Sequence, residues 1–170
     1  METWSLVLGL LGAFGLGALF PNIIDRILNH RLQKKRFQFE ELYIKRAGVI
    51  KETYQKMVRM HRAFESLMAP LQLAGEPSKA EKMKEAADLA NDFIKYFDVN
   101  RIYFDEDLEE KINIFDGKMR EAWNKFRYAT AEELGKQDIN KWNEAWKDVK
   151  EEIPKLKKEI ERKFRKEIGM

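Results

Sequence analysis

Residues 3–24 read TWSLVLGLLGAFGLGALFPNII, and no charged side chain interrupts them. As a helix at about 1.5 Å per residue the stretch covers roughly 33 Å, enough for a hydrocarbon core of about 30 Å. Its small residues are patterned. Ser5, Gly9, Ala13 and Gly17 recur at every fourth position with Gly12 beside them, while Leu6, Val7, Leu10, Leu11, Phe14 and Leu19 supply the bulk. Small residues at that spacing let membrane helices approach closely and associate by van der Waals packing. The pattern predicts a transmembrane helix over residues 1–24. Ser5, Gly9, Gly12, Ala13 and Gly17 form its expected oligomer interface, with another copy of the chain as partner.

The flanking charges predict an orientation. Glu2 is the only charged side chain before the stretch. Arg26, Arg31, Lys34, Lys35 and Arg36 follow it, with Asp25 the only acid before Glu40. The positive-inside rule then leaves the N-terminus outside and the remaining residues in the cytoplasm. A cleaved signal peptide needs a basic leading segment and a small-x-small cleavage site. Here the leading segment is acidic, and the apolar run passes through Pro21 into a basic amphipathic helix. The basic junction, residues 25–36, is expected to meet anionic head groups through Arg31, Lys34, Lys35 and Arg36, with Trp4 at the opposite membrane surface. Nucleic-acid contact through these cations and the interleaved Phe37, Phe39 and Tyr43 is the rival reading. The nearby membrane limits such access, so no direct nucleic-acid binding is expected. A polar group facing lipid is costly, so Ser5 and Asn22 are expected to face other helices or water. Arg26, one turn beyond Asn22, would then line the cytoplasmic mouth of a water path.

Composition fits one helical domain behind the span. The chain has 170 residues, 36% charged and 44% hydrophobic, with a net charge of +3. It has no cysteine, which excludes disulfides and thiol chemistry. Four prolines, few glycines beyond the span and no alternating strand pattern predict long helices with short joints. The fold class expected is all-α, an antiparallel cytoplasmic bundle over residues 37–170.

Four helical segments build that bundle. The first begins near Asn22 and runs to about Ala69, with Tyr43, Ala47, Ile50, Tyr54, Met57, His61, Phe64 and Met68 at four-three spacing. The second opens on the capping box Ser78-Lys79-Ala80-Glu81 and presents Met83, Ala87, Ala90, Ile94 and Phe97, with Phe93 beside them. The third opens at Asp105 among acids that favour a helix N-terminus, and its seam is Leu108, Ile112, Phe115, Met119, Ala122, Phe126 and Ala129. The fourth begins near Asp138, with Trp142, Trp146, Val149, Ile153, Leu156, Ile160 and Phe164 on its seam. Pro154 is expected to disturb it. Glu151 with Lys155, Glu159 with Lys163, and Glu161 with Arg165 are predicted i, i+4 pairs.

Catalytic motifs are absent from the sequence. There is no Walker loop, no GxGxxG after a strand and no HExxH. Residues 105–110 are acidic but lack the glycine and ligand spacing of a calcium loop. His30 lies in the basic junction. His61 falls on the apolar seam, where a hydrogen-bonded structural histidine is expected. Glu40–Glu41 and Glu151–Glu152 are adjacent on helices and point apart, so they make poor acid–base pairs. No catalytic residue, metal ligand or cofactor is expected.

The span with its Ser5, Gly9, Ala13 and Gly17 stripe, the basic junction and the bundle from Phe37 onward resemble in layout the membrane-associated accessory proteins of type VI-B CRISPR systems. That family acts beside an RNA-guided RNA-cleaving effector. Its members resemble HEPN helical domains and assemble into a ring whose N-terminal helices form a pore. The resemblance implies a homo-oligomeric pore in the bacterial cytoplasmic membrane that depolarises it in antiphage defence. HEPN ribonucleases place arginine four to six residues before histidine. Only three residues separate Arg26 from His30, and no arginine stands at that distance before His61. The missing motif disfavours a HEPN-type ribonuclease, the third reading, and leaves a pore or scaffold role untouched. A membrane-tethered helical module that recruits a cytoplasmic partner is the alternative.

Overall fold

The computed structural model describes residues 19–71, 73–130 and 138–169, and of residues 19–29 and 31 the backbone alone. Trp4, Ser5, Gly9, Gly12, Ala13 and Gly17 lie outside the described residues. Among the described residues every element is helical. None of those helices is long and apolar enough to cross a membrane. Of the expected span only residues 19–24 fall inside the described part, as the first turns of a helix that continues well beyond them.

That helix, α1, runs over Leu19–Met68. Pro21 lies in its first described turn. Helix α2 covers Lys79–Asn100 and a 3-10 turn covers Arg101–Tyr103. Helix α3 is Glu106–Ala129 and α4 is Ile139–Lys147. A π turn over Asp148–Glu152 leads into α5, Ile153–Glu167. The caps stand where the sequence puts them. Ser78 and Glu81 close a reciprocal capping box. Asp105 accepts from the N–H of Leu108, and Asp138 from that of Lys141. Those bonds satisfy N–H groups that a helix start leaves without partners. Between α1 and α2 the chain turns at Gly75, whose φ of 89° favours glycine.

The chain divides into two compact units, Met1–Lys45 and Arg46–Met170. Within the second unit, cross-helix contacts fix an up-down-up-down bundle. Lys56 meets Asp92 while Ser66 meets Lys82, so α2 runs antiparallel to α1. Phe93 packs on Phe115 and Arg101 pairs with Glu109, so α3 reverses α2. Lys125 meets Asp148 and Lys111 meets Glu159, so the last helical run reverses α3. That run returns to α1 through Tyr54–Glu161, Glu65–Lys150 and Arg46–Glu167, which closes the ring of four rods.

Helix α3 buries all seven residues of its expected seam. On α1 the seam is buried at Ile50, Met57, His61, Phe64 and Met68, while Tyr54 is half-buried and Tyr43 is 49% exposed. The face of α2 is turned from the expected one. Lys82, Ala86, Phe93 and Phe97 are its buried residues, and Met83, Ala87, Ala90 and Ile94 are half-buried. Lys82 causes the offset. Its ammonium donates to the Ser66 carbonyl, in the last turn of α1, and pairs with Glu76. Carbonyls there lack intrahelical donors, so a buried cation is satisfied where an apolar residue would not be. On the last run, Ala145, Val149, Ile153, Ile160 and Phe164 are buried, and Trp142, Trp146 and Leu156 are half-buried.

Of the three expected i, i+4 pairs only Glu161–Arg165 forms. Lys155 takes Glu152, Lys163 takes Asp107, and Glu159 takes Lys111. Two of those partners sit on α3, so tertiary neighbours displaced the local ones.

Phe93 is fully buried between the rings of Phe97 and Phe115, at centroid distances of 6.2 and 6.0 Å. Phe93→Ala should destabilise the protein by about 3–5 kcal/mol. Ile102→Ala should change little, because Ile102 is 80% exposed. Chemical denaturation of the full chain in detergent, followed by circular dichroism, checks the contrast.

Candidate functional site

Three places in the described residues gather chemistry-bearing side chains. The first surrounds His61, which is 2% exposed. Its Nε2 lies 2.8 Å from the carbonyl oxygen of Val149, and its Nδ1 lies 3.1 Å from Lys157 Nζ. A carbonyl only accepts, so Nε2 carries the hydrogen. Nδ1 then offers its lone pair to the lysine, which only donates. The π turn explains why Val149 needs this donor. In its i, i+5 register the Ile153 N–H bonds to the Asp148 carbonyl. The next donor in that register belongs to residue 154, which is proline and has none. His61 supplies from α1 what Pro154 removes from the last helical run. The expected disturbance at Pro154 thus takes the form of a π turn sealed by a histidine on another helix.

Electrostatics hold the ring neutral. Burial pushes His61 below its ordinary value, and the Lys157 cation works in the same direction. The Val149 hydrogen bond and Glu65, 3.8 Å away, oppose them. Lys150 also faces the ring, and burial lowers Lys157 itself. Both ring nitrogens are occupied and the ring is closed to solvent. This histidine organises the bundle and has no free lone pair to give a substrate.

The second place is a cavity of about 380 Å³ lined by Leu67, Pro70, Lys79, Phe126, Thr130, Asp138 and Trp142 among others. Its polar groups are committed. Thr130 donates its hydroxyl to the Phe126 carbonyl, and Asp138 caps α4. Lys79 lies over the Phe126 ring at 5.5 Å. Residues 131–137, which join two of its walls, lie outside the described residues.

The third place is the part of α1 in the first unit. Leu32, Phe37, Phe39, Leu42, Tyr43 and Ile44 are each between 49% and 70% exposed. Lys34, Lys35 and Arg36 are exposed among them, as are Glu40 and Glu41. Apolar side chains exposed at this density along one helix mark an interaction surface. Of the residues expected at a pore mouth or at head groups, Asn22 and Arg26 stand one turn apart on α1, and Arg31 lies on the same helix. Ser5 and Trp4 lie outside the described residues. His30 is exposed. Asp105, the first of the acidic run, caps α3, and the Leu108 N–H holds its carboxyl below the usual range. Among the described residues no group of histidines and carboxylates is placed to hold a metal ion.

No family model, curated protein or solved structure matches this chain.

The His61 geometry sets a pH dependence. The folded value is below the ordinary 6.5, so the unfolded chain takes up its proton first as pH falls. Stability is therefore full above about pH 6.5 and declines as pH drops from there toward the folded value. His61→Gln keeps an N–H donor but does not titrate, so it should flatten this decline and preserve the fold. His61→Leu leaves the buried Val149 carbonyl without its donor and should cost about 1–3 kcal/mol at neutral pH. Melting temperatures of the three proteins between pH 5 and 8 test both statements.

Proposed function

We propose that this chain is a single-span protein of the bacterial cytoplasmic membrane, with its N-terminus outside. Copies of it assemble through the span and enclose a water path that depolarises the membrane. Ser5, Gly9, Gly12, Ala13 and Gly17 form the contact between spans. Asn22 and Arg26 border the cytoplasmic mouth, and Arg31, Lys34 and Arg36 lie against head groups. The role is non-enzymatic and uses no cofactor. By likeness of layout, it serves beside an RNA-guided effector in antiphage defence.

One observation carries the reading most of the way. Helix α1 begins inside the apolar stretch at Leu19, passes Pro21, and continues through the basic junction to Met68 without a break. A flexible linker is the usual joint between a simple anchor and its cargo. Here the helical hydrogen-bond ladder carries the chain from the span's last residues into the bundle's first helix. The uncharged length of residues 3–24 and the cations that follow support membrane insertion. The buried, fully bonded state of His61 supports a role without acid–base chemistry.

Expression of the full chain in bacteria should collapse the membrane potential reported by a voltage-sensitive dye. Gly9→Leu or Gly17→Leu should hold the spans apart and restore the potential, with insertion unchanged. Leu10→Ile should leave depolarisation intact. A membrane-inserted oligomer that never depolarises would replace the pore with the tethered interaction module.

A further inference from the structure

The exposed stretch of α1 has a register of its own. Leu32, Phe39 and Tyr43 step by seven and four, and the same steps continue to Ile50 and Met57. In heptad terms Leu32 and Phe39 are d positions and Arg36 and Tyr43 are a positions. Ile50 and Met57 are buried in the second unit, whereas Leu32 is 55% and Phe39 70% exposed. Tyr43 shares its a column with Ile50 and Met57, while Leu32 and Phe39 stand in a d column whose apolar surface is open.

The flanks of that seam are complementary to themselves. Lys35 is a g position and Glu40 is the e position of the following heptad. In a parallel pair of helices a g residue faces the e residue five positions further along its partner, and such pairs select partner and orientation. Lys35 of one copy thus meets Glu40 of the next, with the reciprocal contact where two copies pair symmetrically. Both are exposed. Arg36, at an a position, keeps its charged head at the edge while its stem covers the seam, and one polar a residue fixes register.

We infer that residues 32–43 of α1 form a parallel, in-register helix–helix interface between copies of this chain, with Leu32, Phe39 and Tyr43 in its seam and Lys35 against Glu40 across it. The parallel orientation rests on the membrane-inserted reading above. Identical spans entering one bilayer from the same side cannot run antiparallel. The interface gives the assembly a specificity element outside the membrane, where the charge pair discriminates between self and other helices.

The chain has no cysteine, so introduced thiols report alone. Phe39→Cys lies on the seam, and Glu41→Cys lies on the opposite side of the helix. In native membranes treated with a mild oxidant, Phe39→Cys should give a disulfide-linked dimer and Glu41→Cys should give severalfold less. Adding Lys35→Glu to Phe39→Cys should lower the yield several-fold, and adding Lys35→Glu together with Glu40→Lys should recover it. Equal linking at Phe39→Cys and Glu41→Cys overturns the interface, as does a yield indifferent to the charge changes. Phe39→Cys that neither links nor reacts with a water-soluble maleimide marks a lipid-facing helix and also overturns it. Gly12→Cys, in the span, separates the two readings. Linking there without linking at Phe39→Cys leaves the membrane oligomer standing and removes this interface. Absence of linking at both positions removes both.

Discussion

Helix α1 covers Leu19–Met68, and the other helices of the second unit are fixed by what its C-terminal half offers them. Its C-terminal half is a wall of the bundle. Lys56 and Ser66 bind α2, Phe64 packs on Trp123 of α3, and Tyr54, His61 and Glu65 bind the last helical run. Its N-terminal residues belong to the apolar stretch.

The bundle tolerates one violation of local rules and compensates for it at a distance. Pro154 sits inside a helical run, where its missing N–H strands a carbonyl. The backbone widens into a π turn, and Val149 finds its donor on His61, 88 residues away in sequence. The same histidine then accepts from Lys157, so a chain of polar groups crosses the interface between α1 and α5. Such networks stabilise only when every member is satisfied, and here both ring nitrogens are. Lys82 works in the same manner at the last turn of α1, where its ammonium reaches Ser66 and Glu76. Apolar packing sets how closely the rods approach. These two polar contacts tie α1 to its neighbours at defined residues.

Much of the fold was legible in the sequence because its signals are local. Ser78, Asp105 and Asp138 cap helices by reaching three residues along the chain, and all three do so. The α3 seam was readable in full because Leu108, Ile112, Phe115, Met119, Ala122, Phe126 and Ala129 follow one period without interruption. The α2 face was misplaced because a buried lysine looks like a surface residue until its partners, on α1 and in the loop, are known. Ion pairs were poorly legible for a similar reason. Lys163 prefers Asp107 on α3 to its own helical neighbour. As for the candidate site, the position of His61 on the seam announced a bonded structural histidine, but Val149 could not be named. That required the register of a π turn, which no local pattern encodes. The stripe from Ser5 to Gly17 was read from spacing alone and lies outside the described residues.

The proposed membrane-embedded assembly of identical chains rests on the uncharged length of residues 3–24 and the cations that follow it. The mass of the full-length particle, extracted in mild detergent and measured one particle at a time, tests this most directly. The account predicts a single species of several subunits that persists on dilution. A particle of one chain, 20.2 kDa with its detergent shell, would contradict it.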